Sequence, residues 1–308
     1  MAELSGLKRG RARARLVAAA TAAALLVTGV AAGSASAADP APSATAATKA
    51  PAASGNTFGT QDAADAPVNA LYGVNSSGTL YGYPPNGTGG LDSRIWSGSG
   101  WGTTKHMTQA DHDADGSADG VWAVEGSGTL YHLFWGEDPV TVGGGWGIYN
   151  KVLSTGNLAG AGADDLLARD GSGTLWLYLG YGNGTLTGRS KVGTGWGTYN
   201  QITGKGDLTG DGRNDIVARD GGGTLWLYKG TGNRTTPFLA RTKVGTGWNI
   251  FNNLVSVGDI DLDGITDLLA RGTDGTLWRY SGTGNAAAPF KSRVKIGTSG
   301  WNGYRLLF

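Results

Sequence analysis

The 308-residue sequence has no cysteine, which removes disulfide staples, thiol nucleophiles, Cys-ligated zinc and iron–sulfur clusters at once. Histidine is nearly as scarce. His106, His112 and His132 are the whole complement, so a His-based metal or acid–base site can occur once at most. Charged residues make up only 16% of the chain and proline only 9 positions. After the first 37 residues no apolar run reaches the ~18 residues that cross a bilayer, so no membrane span is expected in the mature chain. Glycine, by contrast, fills 56 positions, about 18% against a background near 7%. Such a content disfavours helices, each of which is weakened by interior glycine. With 40% hydrophobic residues and 11 Trp there is still material for a core, which argues against a disordered or collagen-like chain. A turn-rich, all-β globular protein is the expectation.

The N-terminus distorts the charge count. Lys8, Arg9, Arg11, Arg13 and Arg15 precede an uncharged stretch from Leu16 to Ala32, and Ala35-Ser36-Ala37 follows. A basic start, an apolar middle and an A-x-A end predict a secretory signal peptide over residues 1–37, hence an extracellular location. Removing those five cations and Glu3 leaves 20 Lys plus Arg against 23 Asp plus Glu, a net charge of −3. A mildly acidic chain is a poor nucleic-acid binder, because phosphate binding requires clustered Lys and Arg. Residues 38–58, rich in Ala, Pro, Ser and Thr, read as a flexible linker. Residues 59–308 are then the folded part.

That part repeats. At intervals of about 50 residues Gly-Thr-Leu recurs at Gly78, Gly128, Gly173, Gly223 and Gly275, and Gly-Trp places Trp at 101, 146, 196, 248 and 301. Both markers give five copies of about 50 residues, the period of propellers rather than of helical solenoids. In Thr224-Leu225-Trp226-Leu227-Tyr228 the leucines fall on one side of a strand and the aromatics on the other. Burying both faces suits a blade with a neighbour on each side. Leu175 and Leu177 opposite Trp176 and Tyr178, and Leu277 opposite Trp278 and Tyr280, follow the same pattern, and packing between blades is the preferred role for these aromatics. The chain end Tyr304 to Phe308 matches the strand that opens each internal repeat, whereas the first repeat lacks one. The predicted fold is therefore an all-β, five-bladed β-propeller of four-stranded blades, closed by pairing of the C-terminal strand with the first blade near Pro67.

Each internal repeat carries an acidic loop. Asp111, Asp113, Asp115 and Asp119 in the second copy, and Asp259, Asp261, Asp263 and Asp267 in the fifth, stand at positions 1, 3, 5 and 9, with Gly116 and Gly264 at position 6. A tight loop of this kind aims hard oxygen ligands at one point, and Ca2+ is the cation that fits an all-oxygen set. Its expected role is structural. The fourth copy keeps Asp207, Asp211 and Asp215 with Thr209 at position 3; it stands between a calcium loop and an ordinary turn. The third keeps Asn157 and Asp165 but has Ala159 and Ala161, and the first keeps only Asp65 and Asn69, so empty turns are expected there.

The loop D-x-D-x-D-G-x-x-D ahead of a short apolar strand resembles the FG-GAP/VCBS repeats of integrin-like propellers, including fungal lectins. The segment Ile296-Gly297-Thr298-Ser299-Gly300-Trp301-Asn302-Gly303-Tyr304 is similar to the repeat of tachylectin-2-like five-bladed lectins. Together these resemblances cover about residues 60–308. They imply a carbohydrate-binding propeller with sites between blades, often for N-acetylated sugars. Similar propellers also serve as lectin or docking components of secreted actinobacterial complexes, including antibacterial toxin particles, which makes a protein-interaction module the alternative. The carboxylate loops depart from the tachylectin pattern, and five repeats depart from the seven of integrin-type propellers.

The residues make their own case for a sugar site. Trp146 with Tyr149 and Asn150, Trp196 with Tyr199 and Asn200, Trp248 with Phe251 and Asn252, and Trp301 with Tyr304 combine an aromatic face with an amide beside glycine turns expected to leave the ring accessible. Several weak sites on one ring would bind a polymeric glycan by avidity. The competing role for the same residues is to plug blade junctions and cap turns. Catalysis is not expected. The three histidines lack a recurring Ser or acid arranged as a relay, and His112 and His132 read as exposed structural residues.

Overall fold

A computed structural model describes residues 66–160 and 162–308; the predicted signal peptide, the predicted linker, Asp65 and Ala161 lie outside the described residues. The strands follow one another as blades. The first contains β1 (Leu71–Asn75), β2 (Leu80–Tyr83) and β3 (Ile95–Gly98), and the second β4 (His106–Ala110), β5 (Gly120–Val124), β6 (Leu130–Phe134) and β7 (Val140–Gly143). The third contains β8 (Tyr149–Ser154), β9 (Leu166–Asp170), β10 (Leu175–Tyr178) and β11 (Ser190–Gly193). The fourth contains β12 (Tyr199–Thr203), β13 (Ile216–Asp220), β14 (Leu225–Tyr228) and β15 (Thr242–Gly245). The fifth contains β16 (Phe251–Gly258), β17 (Asp267–Gly272), β18 (Leu277–Tyr280) and β19 (Val294–Gly297), and the chain ends with β20 (Tyr304–Leu307). Each blade is a four-stranded antiparallel sheet, and the first is ordered β20-β1-β2-β3. The protein is thus a five-bladed propeller, closed as the sequence predicts by its last strand.

Local rules explain the repeat. Asp170 Oδ1 accepts from the backbone N–H groups of Ser172 and Thr174, which forms the β9–β10 hairpin, and Gly173 takes a φ of +80° that an L side chain adopts at a cost. The carbonyl of that glycine accepts from Trp196 N at 2.9 Å. The same bond recurs from Trp101 to Gly78, Trp146 to Gly128, Trp248 to Gly223 and Trp301 to Gly275, at 2.8 to 3.1 Å. The two sequence markers are therefore the two ends of one hydrogen bond, repeated at every junction.

Alternation along the strands then builds the core. Leu225 and Leu227 pack toward the fifth blade with Trp248 and Leu268, while Trp226 and Tyr228 pack toward the third blade with Leu175 and Leu177. A hydrophobic cluster of this kind fills each of the five junctions. Polar clasps reinforce them. Arg219 donates Nε to Asn200 Oδ1 at 2.8 Å and Nη1 to the carbonyls of Trp248, at 2.9 Å, and Phe251. Arg169 and Arg271 do the same one blade earlier and later, and Arg305 clasps Trp101 and Thr104. At the junction between the second and third blades Val124 replaces the arginine, and His106 Nε2 reaches the Tyr149 carbonyl at 3.3 Å instead.

Candidate functional site

The acidic loops all lie on one face of the disc, where the innermost strand of each blade turns into the next strand. In three of them the position-1 aspartate folds the loop around itself. Asp111 accepts from Ala114 N and Gly116 N, Asp207 from Thr209 N, Gly210 N and Gly212 N, and Asp259 from Leu262 N and Gly264 N. Position 9 ties the loop to the following hairpin. Asp215 accepts from Leu208 N and Gly230 N, and Asp267 from Ile260 N and Gly282 N. Asp165 makes the same knot, with Leu158 N, Ala159 N and Gly180 N, in the loop expected to be an empty turn. Position 9 is thus architectural whether or not the loop holds an ion.

Two loops bring carboxylates together. Asp111, Asp113 and Asp115 place one oxygen each within 4.8 Å of one another, as do Asp259, Asp261 and Asp267. The convergent sets are narrower than the sequence suggested. Asp119 turns to the backbone N–H of His112, and Asp263 pairs with Lys291 Nζ at 2.9 Å. Asp207, Asp211 and Asp215 form no such cluster, and Lys229 Nζ takes Asp211 at 2.9 Å. Burial, reinforced by Asp164, pushes the Asp111 carboxyl up to about 6, and burial, with Asp261 nearby, pushes Asp267 up to about 7. Asp261 shares its Oδ2 between Arg279, at 3.0 Å, and Ser281, but its Oδ1 is buried with no partner. Ala114 and Leu262, at position 4 of these two loops, hold φ near +60° without being glycine. A buried carboxylate oxygen with no donor, in an all-oxygen set, fits a hard divalent cation.

The Gly-Trp aromatics are placed differently from the expectation that their rings are accessible. Trp146 is 2% exposed and Trp301 8%, and Tyr149, Trp196, Tyr199, Trp248, Phe251 and Tyr304 are equally buried. The reason is local. Gly195, at φ +83°, starts a single 3-10 turn that throws Trp196 inward onto Tyr228, with ring centroids 4.7 Å apart. Trp146 meets Tyr178 and Trp248 meets Tyr280 at the same distance. Asn150, Asn200 and Asn252 are exposed, but each gives its Oδ1 to a clasping arginine. The histidines are also corrected: His112 and His132 are buried, with Nε2 atoms 2.6 Å apart, because Trp122 and Phe134 enclose them.

What the rim does expose is a second set of residues. Arg189 lies over Trp176, its guanidinium carbon 4.1 Å from the ring, and donates to Tyr149 Oη at 3.1 Å. Arg241 covers Trp226 at 4.0 Å and donates to Tyr199 Oη. Arg293 covers Trp278 at 4.4 Å, and Arg94 covers Tyr81 at 4.4 Å. The indoles of Trp176 and Trp226 donate to Asp170 and Asp220 at 2.9 Å. In the second blade Pro139 and Tyr131 occupy the corresponding positions, so four blades carry the cluster. The recurring R-x-K-[VI]-G run, at Arg189, Arg241 and Arg293, is the signal by which the sequence could have revealed it.

Residues 207–270 match the FG-GAP-like repeat family. This FG-GAP-like segment spans the acidic loops of the fourth and fifth blades and the strands between them. No curated protein matches the chain by sequence. Among solved structures, the BP39L lectin of Burkholderia pseudomallei aligns at 14% identity and a TM-score of 0.49, over 74% of this chain and 69% of that one. An Agrocybe aegerita lectin, which recognises non-reducing terminal N-acetylglucosamine, aligns at 16% identity and 0.42, over 74% of this chain and 62% of that one. The periplasmic gluconolactonase of Pseudomonas aeruginosa aligns at 15% and 0.40, over 78% and 68%. This chain thus spans less than two thirds of the Agrocybe lectin. Among the described residues no helix is long and apolar enough to cross a membrane.

Proposed function

We propose that the protein is a secreted, multivalent carbohydrate-binding propeller that attaches to cell-surface or polymeric glycans through its rim, with Ca2+ holding the β4–β5 and β16–β17 loops. The observation that carries this reading is the fourfold recurrence of an arginine whose guanidinium carbon lies 4.0 to 4.4 Å from the centre of a Trp or Tyr ring. Contact with the ring, and in two blades with a tyrosine hydroxyl, holds the guanidinium in place, so its remaining N–H groups are positioned to reach vicinal hydroxyls or an acetamido carbonyl. In the fourth blade the Asp220 carboxylate, held ionised by Trp226 and helped by Arg241, supplies an acceptor beside the donor. Donor and acceptor on an aromatic edge are the mixture a polar sugar needs. Blades repeat the cluster around the disc, and a polymer meeting several at once binds by avidity. The buried Gly-Trp residues then serve to position the rim rather than to touch ligand. In the calcium loops, Asp111, Asp113 and Asp115, and Asp259, Asp261 and Asp267, would hold the ion, which supplies charge neutralisation and rigidity.

A glycan array with and without chelator tests this, alongside Arg189→Ala, Arg241→Ala and Arg293→Ala combined. Sugar-competed binding to polymeric glycan is expected, falling stepwise as arginines are removed while circular dichroism is unchanged. No glycan signal, together with a protein partner recovered from culture supernatant, would instead establish the docking role.

A further inference from the structure

The axis of the propeller carries a feature that neither the rim nor the calcium loops use. The innermost strands β4, β8, β12, β16 and β20 surround a central cavity whose wall includes Thr108, Lys151, Ser154, Thr203 and Ser256. On the acidic face the segment before β1 crosses this cavity and closes it. Val68 N donates to Gly116 O of the second blade, Asp259 N of the fifth donates to Pro67 O, and Asn69 bridges Val257 O and Ala118 N. The opposite mouth is ringed by exposed Asn150, Asn200, Asn252 and Arg305. The cavity is a well, open on the face away from the acidic loops.

The side chains of its wall are biased toward donors. Thr108 Oγ1 accepts from Ser154 N at 2.8 Å and Thr203 Oγ1 from Ser256 N at 3.0 Å, and neither hydroxyl proton has an acceptor among the described residues. Lys151, near the open mouth, makes no hydrogen bond or ion pair among the described residues. Lys205, deeper in the wall, is neutralised by Asp164. Among the described residues no Asp or Glu lines the cavity. Arg169, on β9, and His106, on β4, face Lys151 and bring no negative charge; burial, aided by Arg169, lowers its amine to about 8. An ammonium taken partly out of water beside two unspent hydroxyl protons is stabilised by a small oxyanion.

We propose that this axial well binds a small oxyanion, a phosphate or a carboxylate, through the Lys151 ammonium and the Thr108 and Thr203 hydroxyls. Calorimetric titration of the full chain with inorganic phosphate, against chloride at matched ionic strength, tests it, and acetate in a parallel arm separates the two sources. Saturable binding that weakens by about tenfold or more in Lys151→Met, is retained in Lys151→Arg, and fades as pH rises above about 8 is expected. The NMR-detected Lys151 pKa should rise when the anion is added. Lys151→Met binding phosphate and acetate as the parent does, or no heat from the parent at concentrations of about 10 mM, would overturn the assignment. Because the rim arginines are untouched, glycan binding reports separately on the proposed function.

Discussion

At the residue scale the junctions depend on a few guanidinium groups. Arg219 is buried and satisfies two carbonyls of the next blade, so Arg219→Ala leaves those acceptors unpaired and loosens the fourth junction. A loss of about 3 kcal/mol in denaturant unfolding is expected, and Arg219→Lys should recover little of it, because an ammonium cannot span Asn200 and both carbonyls in one plane. His106 replaces the arginine two junctions away and adds a pH dependence. Burial lowers its pKa to about 4, below the unfolded value near 6.5. Between those values the unfolded chain holds more protons, so this contribution is complete above pH 6.5 and is lost as pH falls toward 4. His132, lowered to about 3 by burial, acts in the same sense. In His106→Gln, which keeps an N–H donor without the titration, the slope of stability against pH across that window should flatten. A slope identical to the parent's would show that His106 is not its source. Burial of Trp146, Trp196, Trp248 and Trp301 was not legible from their flanking glycines. Glycine before a Trp signals a turn but not the side on which the ring emerges; Tyr178, Tyr228 and Tyr280, three residues past the leucine of the preceding Gly-Thr-Leu, decide that.

At the element scale, hairpins and loops were the legible part. Gly-Thr-Leu marked a hairpin because only glycine takes φ +80° there freely, and a Cβ on Gly173 would stand 2.7 Å from Gly197 N. Gly173→Ala should therefore destabilise by about 2 kcal/mol or more in thermal melts, whereas Gly195→Ala, with open space around its Cβ, should show only the smaller cost of a positive φ. The acidic loops were legible as loops, but not in their ligand sets. Sequence spacing counts carboxylates and does not show that Asp119 and Asp263 are spent on His112 N and Lys291. For the two convergent loops the linkage runs opposite to that of His106. With no ion bound, Asp111 and Asp267 have folded pKa values of about 6 and 7, above their unfolded values near 4. Their stabilisation is complete at low pH and is lost as pH rises from about 4 through 6 to 7. Calcium competes with those protons. The stabilisation gained on adding ~1 mM Ca2+, followed through the melting temperature, should grow with pH over that range, reaching about 1.4 kcal/mol per site at a Kd of ~0.1 mM. A gain that does not change with pH would detach the ion from these carboxylates.

At the scale of the whole molecule the disc is polar along its axis, with acidic loops on one face and the clasping arginines on the other. What unites the blades is closure. The five-fold spacing and the unpaired character of the first repeat made closure readable in advance, because a first blade with three strands leaves an edge that a homologous terminal segment can fill. The observed register puts Leu307 opposite Gly73, Leu306 opposite Val74 and Tyr304 opposite Asn75, and Phe308 exchanges both backbone bonds with Tyr72. Tyr304 also lies flush on Gly73, where a Cβ would come within 2.6 Å of its ring, and its hydroxyl meets Tyr83 Oη at 2.5 Å. Removing residues 304–308 exposes the edge of β1, strips Leu71 and Trp301 of a shared partner, and frees the Arg305 clasp on the second blade. The ring should then lose its single cooperative unfolding transition, and the open edge should pair with a second molecule, visible as dimers or larger species in light scattering. Supplying the segment Trp301–Phe308 as a free peptide should restore the monomer and the transition by strand addition. A truncated chain that stays monomeric and unfolds in one step at the parent's temperature would mean that junction packing alone closes the propeller.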